Sequence, residues 1–195
     1  MYKITHSLLA SWQYATSEDA AEGAYESFLS TLRGERTEPT DAMLEGRRFE
    51  DLVNRIVANE KADENEEGYS VALDIAATVQ FGQPQVKIEK DIVLRGEEYR
   101  LVGVLDYLKA GTAYDIKRTS HYEYGKYQDS TQHPMYFRLV PEATRFVYLI
   151  YDGARVLTED YWRDETPPIE PTITQFMDFL KAAGLMDVYA EHWSV

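Results

Sequence analysis

Apolar positions along the first 82 residues follow helical spacing. The clearest stripe predicts a helix over 42–60, because its members lie three, four, seven and eight positions apart, as one buried helix face requires. Its members are Phe49, Leu52, Val53, Ile56 and Val57. A further helix is predicted over 69–82, and the first 33 residues are expected to be α-helical. A loop is expected at 34–41, with Thr40 or Asp41 capping the helix that follows.

The spacing changes to alternation of apolar and polar side chains after Pro84, which predicts β-strands as far as residue 162. The predicted strands lie at 86–94, 99–108, 113–117, 144–151 and 155–161. Helical spacing returns over 123–140, where Pro134 is expected to kink the helix. This order predicts an α/β fold with a mixed central β-sheet flanked by helices. We expect one domain over 1–195, with a helical N-terminal part at 1–82, a sheet-containing core at 84–162 and a C-terminal helix at 172–184.

Composition and charge narrow the possible functions. The chain has 195 residues and a formal net charge of −14, which argues against a surface that coats nucleic acid along its whole length. It has no cysteine, which excludes thiolate zinc sites, iron–sulfur clusters and cysteine nucleophiles but leaves oxygen-ligated metals. No apolar run approaches the roughly 18 residues of a membrane span, so we expect a cytoplasmic protein without a membrane partner.

The turn around Gly111 sets the geometry of a candidate site. If the turn is centred between Ala110 and Gly111, Tyr107 lies opposite Tyr114 and Asp106 lies opposite Asp115. Two opposed carboxylates repel unless a cation neutralises them, and Lys117 emerges on the same face as Asp115. Two carboxylates and one ammonium favour Mg²⁺ or Mn²⁺ and the hydrolysis of a phosphodiester. The alternative is an exposed, charged hairpin on which Lys117 merely offsets the two aspartates.

Three stretches resemble, in order, four motifs of the PD-(D/E)XK nuclease superfamily, in its RecB-like branch with the lambda-type exonucleases. The sequence GVLDYLKAGTAYDIKRTS at 103–120 resembles the second and third motifs. The stretch at 44–57 resembles the first motif, with Glu50 as its acid, and the stretch at 127–136 resembles the later Gln-x-x-x-Tyr motif. The sequence departs from the pattern with Leu105 in place of proline, and with Asp115 where this branch often has glutamate.

The resemblance implies a restriction-endonuclease-like core and a metal-dependent DNA nuclease, an exonuclease in recombination, repair or phage DNA processing. It implies that Mg²⁺ or Mn²⁺ is bound by Glu50, Asp106, Asp115 and the carbonyl of Ile116. Lys117 would position the attacking water, and Gln132 and Tyr136 would be supporting residues. The alternatives are a solvated helix glutamate at Glu50 and ordinary packing at Gln132 and Tyr136.

A basic segment with interleaved aromatic side chains is the expected contact with DNA, either linear duplex or single strand. Its nucleic-acid-facing residues are predicted to be Arg118, His121, Tyr124 and Lys126. Local packing of the tyrosines is the alternative. Because the remainder of the chain is acidic, we expect either weak intrinsic affinity for DNA or a recombination protein that delivers the substrate.

Two functions of other classes compete with the nuclease. The first is a non-catalytic subunit that keeps the nuclease fold for binding within a DNA-processing complex, which would gain support if Glu50 faced solvent or another element covered the two aspartates. The second is an acidic mimic of nucleic acid, motivated by the net charge of −14. A mimic should line its acids along one face, and the carboxylates of this sequence are scattered.

Overall fold

A computed structural model describes residues 1–35 and 38–195 of the chain. Its elements are β1 (Tyr2–Ile4), α1 (His6–Ala15), α2 (Ala24–Leu32), α3 (Asp41–Val57), α4 (Tyr69–Val79), β2 (Gln83–Leu94), β3 (Glu97–Lys109), β4 (Thr112–Arg118), α5 (Gln132–Leu139), β5 (Arg145–Tyr151), β6 (Val156–Trp162), α6 (Glu170–Ala182) and α7 (Met186–Trp193). Parallel and antiparallel strands share one sheet, and helices flank it. The predicted fold class is therefore confirmed.

The sheet order is β1-β3-β4-β5-β6, and β2 pairs with the other edge of β3. The pairs β1–β3 and β4–β5 are parallel, and the remaining pairs are antiparallel. Along the edge of β3 away from β2, β1 covers residues 99–101 and β4 covers residues 107–109. Neither strand pairs with residues 102–106. We call the gap between residues 102–106 of β3 and residues 115–118 of β4 the β3–β4 fork.

Two apolar cores cover the two faces of the sheet. The larger core unites one face with α1, α2, α5, α6 and α7, and the smaller core unites the other face with α3 and α4. Strand β5 is buried on both faces, because its consecutive residues pack alternately into the two cores. Phe146, Tyr148 and Ile150 belong to the larger core, and Val147, Leu149 and Tyr151 belong to the smaller one.

Several element predictions were wrong. The first 33 residues are not wholly helical, because residues 2–4 form a strand that pairs in parallel with β3. The helix predicted over 123–140 is only Gln132–Leu139, so Pro134 lies in its first turn, where proline is tolerated. Beyond the C-terminal helix predicted at 172–184, the structure has a further helix, Met186–Trp193, that was not predicted. The loop predicted at 34–41 includes residues 36–37, which lie outside the described residues, whereas Thr40 does cap α3 by accepting a hydrogen bond from Met43 N.

The first and last residues of the chain meet at one edge of the sheet. The Tyr189 hydroxyl donates to Lys3 O at 2.9 Å, and Val195 N donates to Met1 O at 3.1 Å. An isolated bridge also joins Tyr2 to Ser194. Helix α7 therefore covers β1.

Among the residues that the structure describes, no helix is both long and apolar enough to span a bilayer.

Two glycines should respond to alanine in opposite directions. A Cβ at Gly103 would meet Tyr136 Cε1 at 2.7 Å and Leu139 Cδ1 at 2.8 Å, whereas a Cβ at Gly46, on α3, would meet nothing within 4 Å. Gly103→Ala should lower the free energy of unfolding by about 1–3 kcal/mol through overpacking. Gly46→Ala should raise it by about 0.5–1 kcal/mol, because alanine loses less backbone entropy in a helix. Urea denaturation measures both, and equal effects would contradict the close packing of α5 on β3.

Candidate active site

The β3–β4 hairpin has the register that the sequence predicts. Tyr107 pairs with Tyr114, and Ala110 and Gly111 occupy the turn with φ of 48° and 77°. These two positive φ values fit a two-residue hairpin turn. The ladder ends at Tyr107 and Tyr114, however, so the expected pairing of Asp106 with Asp115 is wrong. Asp106 Oδ2 instead accepts a hydrogen bond from Ile116 N at 2.7 Å, which occupies the space of the missing backbone pair.

Strand β3 switches faces at Asp106. Leu105 and Tyr107 are two residues apart and should point to the same face, yet Leu105 packs in the larger core and Tyr107 in the smaller core. The Tyr107 hydroxyl donates to Asn54 Oδ1 on α3, which fixes the new orientation. The irregularity releases Asp106 from the regular ladder. It thereby places one carboxylate at the opening of the β3–β4 fork.

Asp115 is the most buried carboxylate of this site, with 6% of the residue exposed. Gln132 Nε2 donates to its Oδ1. Lys117 Nζ lies 2.8 Å from its Oδ2 as an ion pair. Lys117 Nζ also lies 5.8 Å from the centre of the Tyr148 ring. Burial alone would lower the pKa of Lys117, but the adjacent Asp115 carboxylate outweighs it and raises that pKa.

Glu50 reaches the same site from α3. Its Oε1 accepts a hydrogen bond from Gln85 Nε2 at 2.8 Å. Burial raises the pKa of Glu50, and the charge of Asp115 adds to the effect while Gln85 and Lys117 oppose it. Burial raises the pKa of Asp106 well above its ordinary value, and the charges of Asp115 and Glu50 raise it further. Three carboxylates thus share one ammonium, and the site is short of positive charge.

The donor set fits a hard divalent cation, although the side chains are not closed around one. Within residues 1–35 and 38–195, no three or more His, Asp or Glu side chains form a metal-binding group. Each acid turns one oxygen to an internal donor, namely Gln85, Ile116 N or Gln132. The remaining carboxylate oxygens are the ligand type that Mg²⁺ and Mn²⁺ prefer. Asp115 Oδ2 already has the Lys117 ammonium at 2.8 Å, and three acids with one ammonium leave negative charge for such a cation.

The two residues of the Gln-x-x-x-Tyr motif both lie inside the protein. Gln132 is 4% exposed and Tyr136 is 2% exposed. Gln132 holds Asp115, whereas the Tyr136 hydroxyl donates to Val104 O, at a level of β3 where β4 does not pair with it. Both side chains support the site from inside the protein, and Tyr136 belongs to the larger core.

Three of the four residues predicted to face nucleic acid, His121, Tyr124 and Lys126, line one cavity of about 380 Å³, whereas Arg118 lies at another. Arg118 is ion-paired with Glu45 at 3.4 Å and Glu67 at 3.3 Å, beside a cavity of about 240 Å³. His121, Tyr124 and Lys126 lie on the loop at 119–131, where Tyr124 is 88% exposed. Lys126 Nζ donates to Thr119 Oγ1 and to His121 O, so its ammonium is used within the loop.

Three residues near the site escaped sequence reasoning. Gln85 gave no signal, since it is an exposed polar residue near the start of a strand. His6 begins α1, and burial together with the charge of Lys117 lowers its pKa to about 4. Glu159 is 2% exposed and accepts hydrogen bonds from the Tyr122 and Tyr161 hydroxyls and from Tyr127 N. In the sequence, the signal for Glu159 was its position between Leu157 and Tyr161 on one face of an alternating strand.

Comparison with known proteins adds information on the fold. No protein-family model matches the chain, and no curated protein matches it. A crystal structure of SSO0001 superposes with a TM-score of 0.54 and 12% identity, over 93% of this chain and 76% of that one. The two proteins share a fold. Two further matches are structures of LHK-Exo, an alkaline exonuclease from Laribacter hongkongensis, and one of them is a complex with dAMP. They align at TM-scores of 0.48 and 0.44, with 15% and 16% identity, each over 97% of this chain and 89% of that one.

Removal of the Gln132 amide should destabilise the protein. Gln132→Ala leaves Asp115 Oδ1 buried without its donor, which should lower the free energy of unfolding by about 1–3 kcal/mol. Gln128→Ala is the matched control, because Gln128 is exposed and should change stability by less than about 0.5 kcal/mol. Chemical denaturation compares the two, and equal stabilities would mean that the Gln132–Asp115 contact is unimportant in solution.

Protonation of His133 should weaken the fold in mild acid. Burial lowers the pKa of His133 from 6.5 to about 4. Between these values the unfolded chain binds a proton that the folded protein does not, so stability is present above pH 6.5 and falls as the pH drops towards 4. The share of His133 is at most about 1.4 kcal/mol per pH unit. Unfolding free energies from pH 7 to 4 should fall less steeply in His133→Gln than in the wild type or in the exposed-site control His121→Gln.

Proposed function

We propose that this protein is a metal-dependent nuclease that hydrolyses phosphodiester bonds in DNA, of the RecB-like branch of the PD-(D/E)XK superfamily. The observation that carries the proposal is the grouping of Asp106, Asp115 and Lys117 at the β3–β4 fork, where the carboxylates outnumber the ammonium. The order of the four sequence motifs supports it. The contact between Gln132 and Asp115 agrees with it, because that contact joins the third and the last of these motifs.

The residues that would hold Mg²⁺ or Mn²⁺ are Glu50, Asp106, Asp115 and the carbonyl of Ile116. When bound, such a cation supplies positive charge that polarises the scissile phosphate and lowers the pKa of the attacking water. The raised pKa values of Glu50 and Asp106 mean that a cation would stabilise their ionised forms. Gln132 keeps the Asp115 carboxylate in one orientation, and Tyr136 holds the backbone of β3 beside it.

Lys117 would act as a cation. Because Asp115 raises its pKa, Lys117 remains protonated at neutral pH and donates hydrogen bonds. An ammonium fixed at this point orients the attacking water and stabilises the negative charge that develops on the phosphate oxygens. Asp115, in turn, restrains the flexible lysine, which reduces the entropy cost of that role.

The proposed substrate is linear DNA, cut from an end, with His121, Tyr124 and Lys126 of the loop at 119–131 as its contacts and Arg118 at the base of that loop. Tyr124 is exposed and can stack on a base. Lys126 and Arg118 are engaged in internal contacts, and the net charge is −14, so intrinsic affinity for DNA should be low. A recombination protein that delivers the DNA would compensate for it.

Cleavage assays on end-labelled linear and closed circular DNA test the proposal. With Mn²⁺ or Mg²⁺, the wild type should degrade the linear DNA only, and EDTA should stop the reaction. Asp115→Asn and Lys117→Ala should lower the rate by about 100-fold or more, since each removes charge that acts in the transition state. Lys61→Ala, at an exposed lysine of the loop between α3 and α4, is the matched control and should cut at the wild-type rate. Cleavage by Asp115→Asn at the wild-type rate would refute the mechanism.

A non-catalytic binding subunit is the second candidate. It is favoured by the internal hydrogen bonds that engage Glu50, Asp106 and Asp115, which leave no metal-binding group in the part of the chain that the structure describes. The same assay separates the two candidates. Absence of cleavage with either metal on either DNA would support the binding subunit.

A further inference from the structure

Gln85 has a backbone conformation that is unusual for a residue within a strand. Its φ is 48°, in the left-handed region that non-glycine residues rarely adopt. The other four non-glycine residues with positive φ in the described ranges lie in turns, at Asn59, Phe81, Arg95 and Ala110, whereas Gln85 lies within strand β2. Unusual backbone of this kind persists only where the surroundings hold it, and it occurs often at functional sites.

The unusual residue lies opposite Asp106. Pro84 pairs with Tyr107 and Val86 pairs with Leu105, so Gln85 lies opposite Asp106. At this position the ladder between β2 and β3 lacks a pair. Asp106 is also the point where β3 switches between the two cores. Both strands are therefore irregular at the same level, beside the β3–β4 fork.

The side chain of Gln85 contacts Glu50, one of the three acids of the site. Gln85 Nε2 donates to Glu50 Oε1 at 2.8 Å, across 35 residues of sequence and from the sheet to α3. Gln85 is exposed, so burial does not explain its conformation. Of the three carboxylates at the site, Glu50 is the one that comes from a helix, and within the described residues this amide is the only side-chain hydrogen-bond donor that it has.

The chain that leads to Gln85 is held firmly. A Cβ at Gly82 would lie 2.8 Å from Val79 O and 3.2 Å from Lys109 Cβ, so the backbone there is closely packed. Lys109 Nζ donates to Thr78 O, at the end of α4. The position of Gln85 is thus set by packing of the α4–β2 connection against the β3–β4 hairpin.

We infer that Gln85 is a positioning residue of the site, which holds the Glu50 carboxylate towards Asp106 and Asp115. This inference rests on the proposed function, because the purpose of that orientation is a divalent cation shared by the three acids. Residues that orient metal ligands in this way typically change metal affinity or activity by about 10–100-fold when they are removed. The backbone strain at Gln85 is the structural cost of that orientation.

Gln85→Gly separates positioning from stability. Glycine accepts a positive φ without strain, so the melting temperature should equal or exceed that of the wild type, while Mn²⁺, titrated alone and followed by its electron paramagnetic resonance, should bind about 10-fold more weakly. Gln83→Gly makes the same change at an exposed neighbour on β2 and should keep the wild-type Mn²⁺ affinity. In a Glu50→Ala background, Gln85→Gly should have no further effect on Mn²⁺ affinity, because its partner is absent.

Each outcome decides the inference. Weaker Mn²⁺ binding in Gln85→Gly, with unchanged or higher stability and with the effect lost in the Glu50→Ala background, supports it. Wild-type Mn²⁺ affinity in Gln85→Gly, or equal losses in Gln85→Gly and Gln83→Gly, overturns it while the proposed nuclease stands. Absence of Mn²⁺ binding by the wild type overturns both.

Discussion

The separation of β3 from β4 after Tyr107 and Tyr114 is the constraint on which the candidate site depends. Two strands that part leave backbone groups without partners, and buried groups of this kind must find others. Asp106 accepts from Ile116 N on one side of the gap, and Tyr136 donates to Val104 O on the other. The same side chains that form the site therefore also repair the sheet, so the opening is part of the fold.

Two buried acids lie in one row across the sheet, and they differ in a way that bears on function. Asp115 pairs with Tyr148 on β5, and Tyr148 pairs with Glu159 on β6. Glu159 accepts from two tyrosine hydroxyls and a backbone N–H, so neutral donors satisfy it. Asp115, by contrast, has a charged partner, the Lys117 ammonium at 2.8 Å. The first arrangement anchors the loop at 119–131, and the second places a charged pair at the β3–β4 fork.

Sequence reasoning was reliable where a local pattern determines the structure. Alternating and continuous apolar patterns located the strands after Pro84, and the turn at Ala110 and Gly111 fixed the pairing of Tyr107 with Tyr114. It failed where tertiary contacts decide. Residues 2–4 are too few for a periodic signal and form a strand only because β3 offers an edge. The predicted pairing of Asp106 with Asp115 was wrong because a regular ladder was assumed. Nothing in the sequence around Gln85 indicates its positive φ.

The contact between the two ends of the chain has a consequence for synthesis. Strand β1 is at the edge of the sheet, and α7, which covers it, lies more than 180 residues later. An uncovered edge strand can pair with other chains, and contacts between distant residues form slowly. During translation β1 and β3 are made well before α7, so this edge of the sheet stays uncovered until α7 has been made. The shortness of β1, three residues from Tyr2 to Ile4, limits the surface exposed to aggregation during that interval.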